Sequence, residues 1–407
     1  MIFRLALIVF LLVMIVLQGC ATPSRMDAVP LELQGSAVIP GLSGVRYRVG
    51  FDTDKIVKEG LESVRNELSH RADKGLSGPL PPAYFLAVSG GGDDGAFGAG
   101  LLNGWTKSGT RPEFKLVTGI STGALIAPFA FLGSDYDFRL EAFYTQTSPK
   151  DIMVDRPFYS LLTSDSFSDN TPLWSRVENE VTRELLDAIA AEYEKGRLLF
   201  IGTADLDARQ PYIWNMTKIA KSRDPRALAL FRAIMIASAA IPGAFSPVMI
   251  DVDVDGRKYQ EMHVDGGTMT QVFVYPPSMN LQKTAREVGV DRERIMYIIR
   301  NSRLDPGWAS VDRSIMTIAE RAISSLIHAQ GLGDLYRLYL TAQKDDVDYN
   351  LAYIPETFNK PHLEMFDTEY MRALYRLGYD MMLKGYPWAK TPPGFREPIF
   401  QDQQEQE

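Results

Sequence analysis

KLVTGISTGALIAPFAF, residues 115–131, decides how the rest of the chain is read. Residues 114–118 are short and mostly apolar, which predicts a buried strand, and from Thr122 onward the apolar spacing becomes helical. Gly119-Ile120-Ser121-Thr122-Gly123 must therefore turn sharply between strand and helix. In such a G-x-S-x-G elbow the glycines relieve crowding, and the serine hydroxyl is left projecting at the carboxyl end of the sheet. Small residues are common at strand-to-helix turns, so Ser121 is read as a nucleophile only if other parts of the chain point at it.

The nearest such part lies upstream. Residues 84–88 predict another buried strand, running into SGGGDDGAFGAG at 89–100 and then a helix through Trp105. Consecutive glycines ahead of a helix expose backbone N–H groups that no side chain covers, and such a loop binds an anion or an oxyanion. Gly90, Gly91 and Gly92 are the candidate oxyanion hole. Gly90, Gly92 and Gly95 also fit G-x-G-x-x-G. A dinucleotide site, however, wants an acidic residue at the end of the second strand to hold a ribose hydroxyl, and here that strand ends in Thr118-Gly119-Ile120-Ser121. A purely structural glycine turn is the other reading.

Downstream, residues 137–147 and 173–195 have helical periodicity, 198–203 and 212–216 read as strands, and 226–240 as an apolar helix. Together they extend an alternating α/β pattern, which predicts a mainly parallel sheet between helices. Asp251-Val252-Asp253-Val254-Asp255-Gly256 imitates the opening of a calcium-binding EF-hand loop, but Met262 stands where the bidentate glutamate belongs. Strict alternation suits a strand entering an Asp255-Gly256 hairpin turn. The returning strand, 258–264, delivers Asp265 at its end, with His263 two residues earlier on the same strand face. Residues 295–300 and part of 345–354 predict late strands, and 366–383 an aromatic helix. A helix over 311–330 places Ile315, Ile318, Ala322, Ile323 and Leu326 on one stripe. That stripe predicts a core-facing helix or, more sharply, an interfacial surface over the active site. His328 and His362 have no acidic partner at a telling spacing, and no His/Cys/Asp/Glu grouping has metal-site spacing, so neither a metal nor another cofactor is expected.

The chain has 407 residues, 45% of them hydrophobic and 23% charged, which predicts one large globular domain with extensions or two domains. A net charge of -8 without any Lys/Arg cluster argues against a nucleic-acid partner. At the amino terminus Arg4 precedes an apolar run over 5–17, the length of a signal-peptide core and short for a membrane span. Leu17-Gln18-Gly19-Cys20 resembles the bacterial lipobox, in which the cysteine after the cleavage site is acylated on its thiol. That resemblance makes 1–19 a signal peptide and Cys20, the single cysteine of the chain, a lipid anchor. Several acyl chains would hold the protein stably at a membrane. By resemblance to lipoprotein sorting, Ala21 rather than Asp after the cysteine favours the outer membrane of a bacterial envelope that has one. An ordinary signal peptide with a chance cysteine is the alternative. Residues 20–82 read as a lipidated tether and N-terminal extension, rich in turn formers at both ends, with a helix over 55–72 on which His70 is a solvated end residue. The polar 401–407 is a frayed tail.

A G-G-G-x-x-G loop after one strand, a G-x-S-x-G elbow after the next and Asp265-Gly266-Gly267 much later resemble, in that order, the signature of patatin-like phospholipases. ASAAIPGAFSP at 237–247 is similar to the family's A-S-x-A-x-P stretch, and 201–206 looks like its middle strand. The resemblance implies a three-layer α/β/α fold with a mainly parallel central sheet. Residues 83–275 would be the catalytic core and 276–400 an α/β continuation of the same domain. It also implies a lipid or phospholipid substrate and a Ser121–Asp265 dyad, with the serine attacking an ester carbonyl and the aspartate accepting its proton. Asp94 departs from the Arg or Lys frequent before the last glycine of the loop, which leaves the backbone donors and removes side-chain help. Two alternatives stay open: an α/β-hydrolase with Ser121, a later acid and His328 or His362 as a triad, or a catalytically inactive membrane-tethered interaction protein.

Overall fold

The computed structural model describes residues 23–157 and 164–395. The expected signal peptide, Cys20 and the 401–407 tail lie outside the described residues. In chain order the strands are β1 (Arg46–Arg48), β2 (Ala83–Val88), β3 (Phe114–Gly119), the short pair β4 (Val154–Asp155) and β5 (Ser168–Asp169), β6 (Leu198–Asp205), β7 (Gln210–Asn215), β8 (Val248–Val254), β9 (Arg257–Asp265), β10 (Arg294–Arg303) and β11 (Asp348–Ile354). The principal sheet runs β1-β7-β6-β3-β2-β10-β11, with β9 added to β6 and β8 to β9. From β6 through β11 every pairing along that path is parallel, whereas β7 and β9 run antiparallel to β6.

Residues of β2 alternate between two cores. Leu86 and Val88 join one hydrophobic cluster, Phe85 and Ala87 the other. A strand apolar on both faces is what a sheet covered on both sides requires, and helices provide the cover. They are α1 (Thr53–Asp73), α2 (Gly95–Lys107), α3 (Thr122–Leu132), α4 (Asp137–Thr145), α5 (Thr171–Glu180), α6 (Arg183–Glu194), α7 (Met216–Lys221), α8 (Ala227–Ser238), α9 (Leu281–Glu287), α10 (Ile315–Lys344) and α11 (Thr368–Leu383). The expected three layers are present.

One register positions the site. Along a single edge of β6, β3 pairs from Leu116↔Leu198 to Gly119↔Ile201 and then turns away. Two residues further, the same edge is taken by β9 arriving from the opposite direction, with Thr203↔Asp265 as its last pair. The serine elbow and Asp265 therefore meet end to end, although 144 sequence positions separate Ser121 from Asp265. The hairpin that returns β9 is the expected one, with positive φ at Asp255 (52°) and Gly256 (83°), and Gly256 N–H donates to Asp253 Oδ1 at 2.7 Å.

Several expectations need correction. The helix read over 173–195 is two helices, because Thr182 leaves helical geometry and caps α6 by accepting from Leu185 N–H. Met216 opens α7 rather than closing β7. The segment read as a tether is held to the domain from Arg25, which pairs with Asp207 at 2.6 Å, and it contributes β1 against β7. The helix read over 311–330 begins at Ile315 and continues to Lys344, and its apolar stripe does not face the core. Ile315, Ile323 and Leu326 are 87%, 56% and 71% exposed, and burial starts only near Gly331. This exposed half follows the carboxyl end of β10, the end of the sheet where Ser121 lies.

Candidate active site

Ser121 sits at φ 56° and ψ −126°, a conformation that L-residues rarely adopt and that persists only where the surroundings impose it. The glycines on either side show why. A Cβ on Gly119 would lie 2.3 Å from Gly123 O, and one on Gly123 would lie 2.2 Å from Val88 O. Gly123 N–H donates to Ile120 O and Ala124 N–H to Ser121 O, both at 2.8 Å, so α3 starts directly beneath the serine. Ser121 N–H is held by Ser238 Oγ at 3.0 Å, and that hydroxyl donates onward to Gly202 O at 2.6 Å. Ser238 thus ties the last turn of α8 to the elbow and to β6. Its stretch was quoted from the sequence, but this role was not legible there.

Asp265 caps a single 3-10 turn, Gly266–Thr268, and accepts from Gly267 N–H at 2.7 Å. Its own N–H is fixed by Ala240 O at 2.9 Å. Burial pushes the carboxyl up to about 7, against the opposing effect of the nearby Ser121 hydroxyl and of the hydrogen bond from Gly267 N–H. The structure thus brings the two dyad candidates together, and both are buried.

The glycine loop lies beside them. A Cβ on Gly90 would sit 3.1 Å from Ser121 Cβ, a tight contact that glycine avoids. Gly90 N–H, however, donates to Gln271 O at 3.1 Å. Of the three candidate oxyanion donors, Gly90 is therefore committed, while Gly91 and Gly92 N–H have no acceptor among the described residues. Gln271 also donates through Nε2 to Gly267 O at 2.7 Å, and so links the loop to the Asp265 turn. On the far side Asn301 Nδ2 donates to Ser89 O at 3.0 Å and Asn301 Oδ1 accepts from Gly98 N–H at 3.1 Å, which clamps the loop on β10.

The two carboxylates of the loop point away from the serine. Asp93 bonds His362 Nε2 at 2.6 Å and accepts from Phe366 N–H at 2.7 Å. Asp94 Oδ1 accepts from Tyr370 OH at 2.6 Å, and burial and then the neighbouring Asp93 push its carboxyl up to about 7 against that bond and the fields of His362 and Arg300. His362 therefore has an acidic partner in the fold that no sequence spacing marks; it precedes Ser121 in the chain, and the pair braces the loop. His263 bonds Thr203 Oγ1 through Nδ1 at 2.9 Å and Glu261 through Nε2 at 3.2 Å, deep in a network that includes Arg46 and Trp214. His328 lies on α10, and burial and Arg300 hold its pKa below the ordinary value. Asp265 has none of these histidines as a hydrogen-bond partner, so the histidine triads considered from the sequence are not assembled. Among the described residues no His/Cys/Asp/Glu group has the makings of a metal site.

Beside Ser121 opens a narrow cleft, walled by hydrocarbon from Leu125, Phe143, Ile152, Leu173, Phe245 and Phe366 and bounded by Gly92. An ester carbonyl between Ser121 and the loop would have its acyl chain on that wall.

Residues 86–276 match the model of the patatin-like phospholipase family. Solved structures similar to the chain include VipD from Legionella pneumophila (12% identity, 76% of this chain and 67% of that chain covered, TM-score 0.32). Human GIVD cytosolic phospholipase A2 is another (10% identity, 69% and 51% covered, TM-score 0.29), as is the type III effector protein ExoU (13% identity, 75% and 53% covered, TM-score 0.19). The chain spans about half the length of the latter two. No curated protein sequence matches it. With the ordered motifs placed around one elbow and the family match laid over them, residues 86–276 form a patatin-like phospholipase domain of the patatin fold.

Proposed function

We propose that the protein is a membrane-anchored serine acyl-ester hydrolase of the phospholipase A or lysophospholipase type, working through a Ser121–Asp265 dyad. The observation that carries this reading is the pairing of a strained, buried serine with a carboxyl that burial raises to about 7. A serine hydroxyl is a poor nucleophile at its free pKa and needs an adjacent base. A general base serves best with a pKa near the operating pH. In the proposed cycle Asp265 takes the proton as Ser121 Oγ attacks the ester carbonyl. Gly91 and Gly92 N–H receive the developing oxyanion. The proton then passes to the leaving alcohol, and a water activated by Asp265 releases the fatty acid from the acyl-serine.

Anchoring is proposed through the acylated thiol of Cys20, in the outer membrane of a bacterial envelope. The exposed aliphatic face of α10 supports the same setting, since Trp308 (92% exposed), Ile315 and Leu326 lie at the active-site end of the sheet. A bilayer that supplies substrate there would also cover them. The test is labelling with a fluorophosphonate probe followed by turnover of a panel of phospholipids and lysophospholipids. Labelling that maps to Ser121, with fatty acid released, supports the reading. Absence of both leaves a tethered interaction protein instead.

A further inference from the structure

A second, larger cavity lies at the opposite end of the sheet. It measures about 140 Å³ and its wall is almost entirely hydrocarbon. Its floor is the amino-terminal part of the parallel strands, at Ala83 of β2, Leu116 of β3 and Leu198 of β6. α1 and α9 close its sides. Leu116 precedes Ser121 by five positions, which at about 3.3 Å per strand residue sets the cavity roughly 16 Å from the nucleophile.

Three cations line this cavity, and two of them are already engaged. Lys115 Nζ bonds Glu67 at 2.6 Å, and Arg292 bonds the same carboxylate through Nη1 and Nη2 at 2.8 and 3.0 Å. Arg294, at the start of β10, has no side-chain hydrogen bond or ion pair among the described residues; Asp291 and Asp345 favour its charge only through space. It stands where the hydrocarbon pocket meets a wide polar cleft, because Ala285, Val290, Arg292 and Arg294 border both.

We propose that this cavity binds a free medium-chain fatty acid, with its tail among the aliphatic side chains and its carboxylate on Arg294. Hydrocarbon burial drives the tail inward. A guanidinium is the group best matched to a carboxylate, which it grips with two parallel hydrogen bonds. A neutral lipid would leave that group unused. The choice of a fatty acid draws on the hydrolase reading, since a free acid is what acyl-ester hydrolysis releases, but binding itself needs no catalysis.

The test uses the full chain carrying Ser121→Ala, so that an inactive parent would leave the result untouched. An octanoate bearing a photoactivatable group on its tail is crosslinked and the labelled peptides are mapped. Label on 53–73 or 281–294 is expected, and label confined to the peptides around residues 121–125 and 239–245 overturns the proposal. A Cβ on Gly60 meets nothing within 4 Å, and Gly60 lines the cavity, so Gly60→Phe fills it without a backbone clash and should cut labelling at least tenfold. Arg294→Gln should weaken octanoate binding by roughly tenfold or more, as loss of a charged hydrogen bond implies, and leave octanol binding nearly unchanged. Equal weakening of both ligands, or of neither, rejects the carboxylate site.

Discussion

The Asp265 carboxyl lies beside the Ser121 hydroxyl and accepts a hydrogen bond from Gly267 N–H at 2.7 Å, in a pocket where burial pushes its pKa up to about 7. A base of this kind is active only when deprotonated. Ester hydrolysis should therefore rise with pH through about 7 and level off above it, in kcat/KM measured on a soluble short-chain ester. A profile flat from pH 5 to 9 would mean that Asp265 does not titrate as the base. His362 and His328 variants should retain this limb, whereas a histidine-dependent profile would restore the triad reading.

Ser121→Ala should abolish turnover by about a thousandfold or more. Ser121→Gly should do the same and also raise the melting temperature, because glycine accepts φ 56° without the cost of roughly 1–3 kcal/mol that a side chain bears in such a region. A Gly variant no more stable than the Ala variant would show that the elbow is not strained.

What was legible in the sequence was local backbone constraint. Apolar runs followed by glycines marked β2, β3 and their turns, and Asp255-Gly256 marked the hairpin that carries Asp265. Each of these is fixed by neighbours a few residues away. The sharing of one β6 edge by Gly119 and Asp265 was not legible, nor were the Ser238 and Asn301 clamps, which reach 117 and 212 positions along the chain. Pattern also could not say what covers a stripe. Ile315 to Leu326 has the spacing of a packed helix, yet no part of the described protein lies over it.

Ser238→Ala removes the acceptor of Ser121 N–H and the donor to Gly202 O, both buried. The expected cost is about 1–3 kcal/mol of stability. Because the elbow loses its brace and the acyl cavity is untouched, kcat should fall with little change in KM. A variant of wild-type kcat would show that the hydroxyl only fills space.

Cys20→Ser should move the protein out of the membrane fraction and abolish lipid labelling, while Ile315→Ser with Leu326→Ser should lower activity on vesicles several-fold and spare a soluble ester. Unchanged membrane retention after correct processing would sink the lipoprotein reading. Unchanged vesicle activity in the surface variant would remove α10 from the interface.

Asp265→Asn separates catalysis from stability. The folded pKa of Asp265, about 7, lies above its ordinary value of 3.8, so between these values the folded state binds a proton that the unfolded state has released. Folding stability contributed by this group is therefore fully present below about pH 4, falls as pH rises toward 7 and stays reduced above it. Asparagine carries no charge to bury and still offers an oxygen to Gly267 N–H. Relative to the parent, Asp265→Asn should thus gain stability progressively from pH 4 to 7, by a few kcal/mol on the order of 1.4 per pKa unit, while losing nearly as much activity as Ser121→Ala. Denaturant unfolding of both proteins at pH 4.5 and pH 8 measures the difference. If the variant is no more stable than the parent at pH 8, the carboxylate is not held at a cost, and the physical basis for Asp265 as a base poised near neutrality is gone.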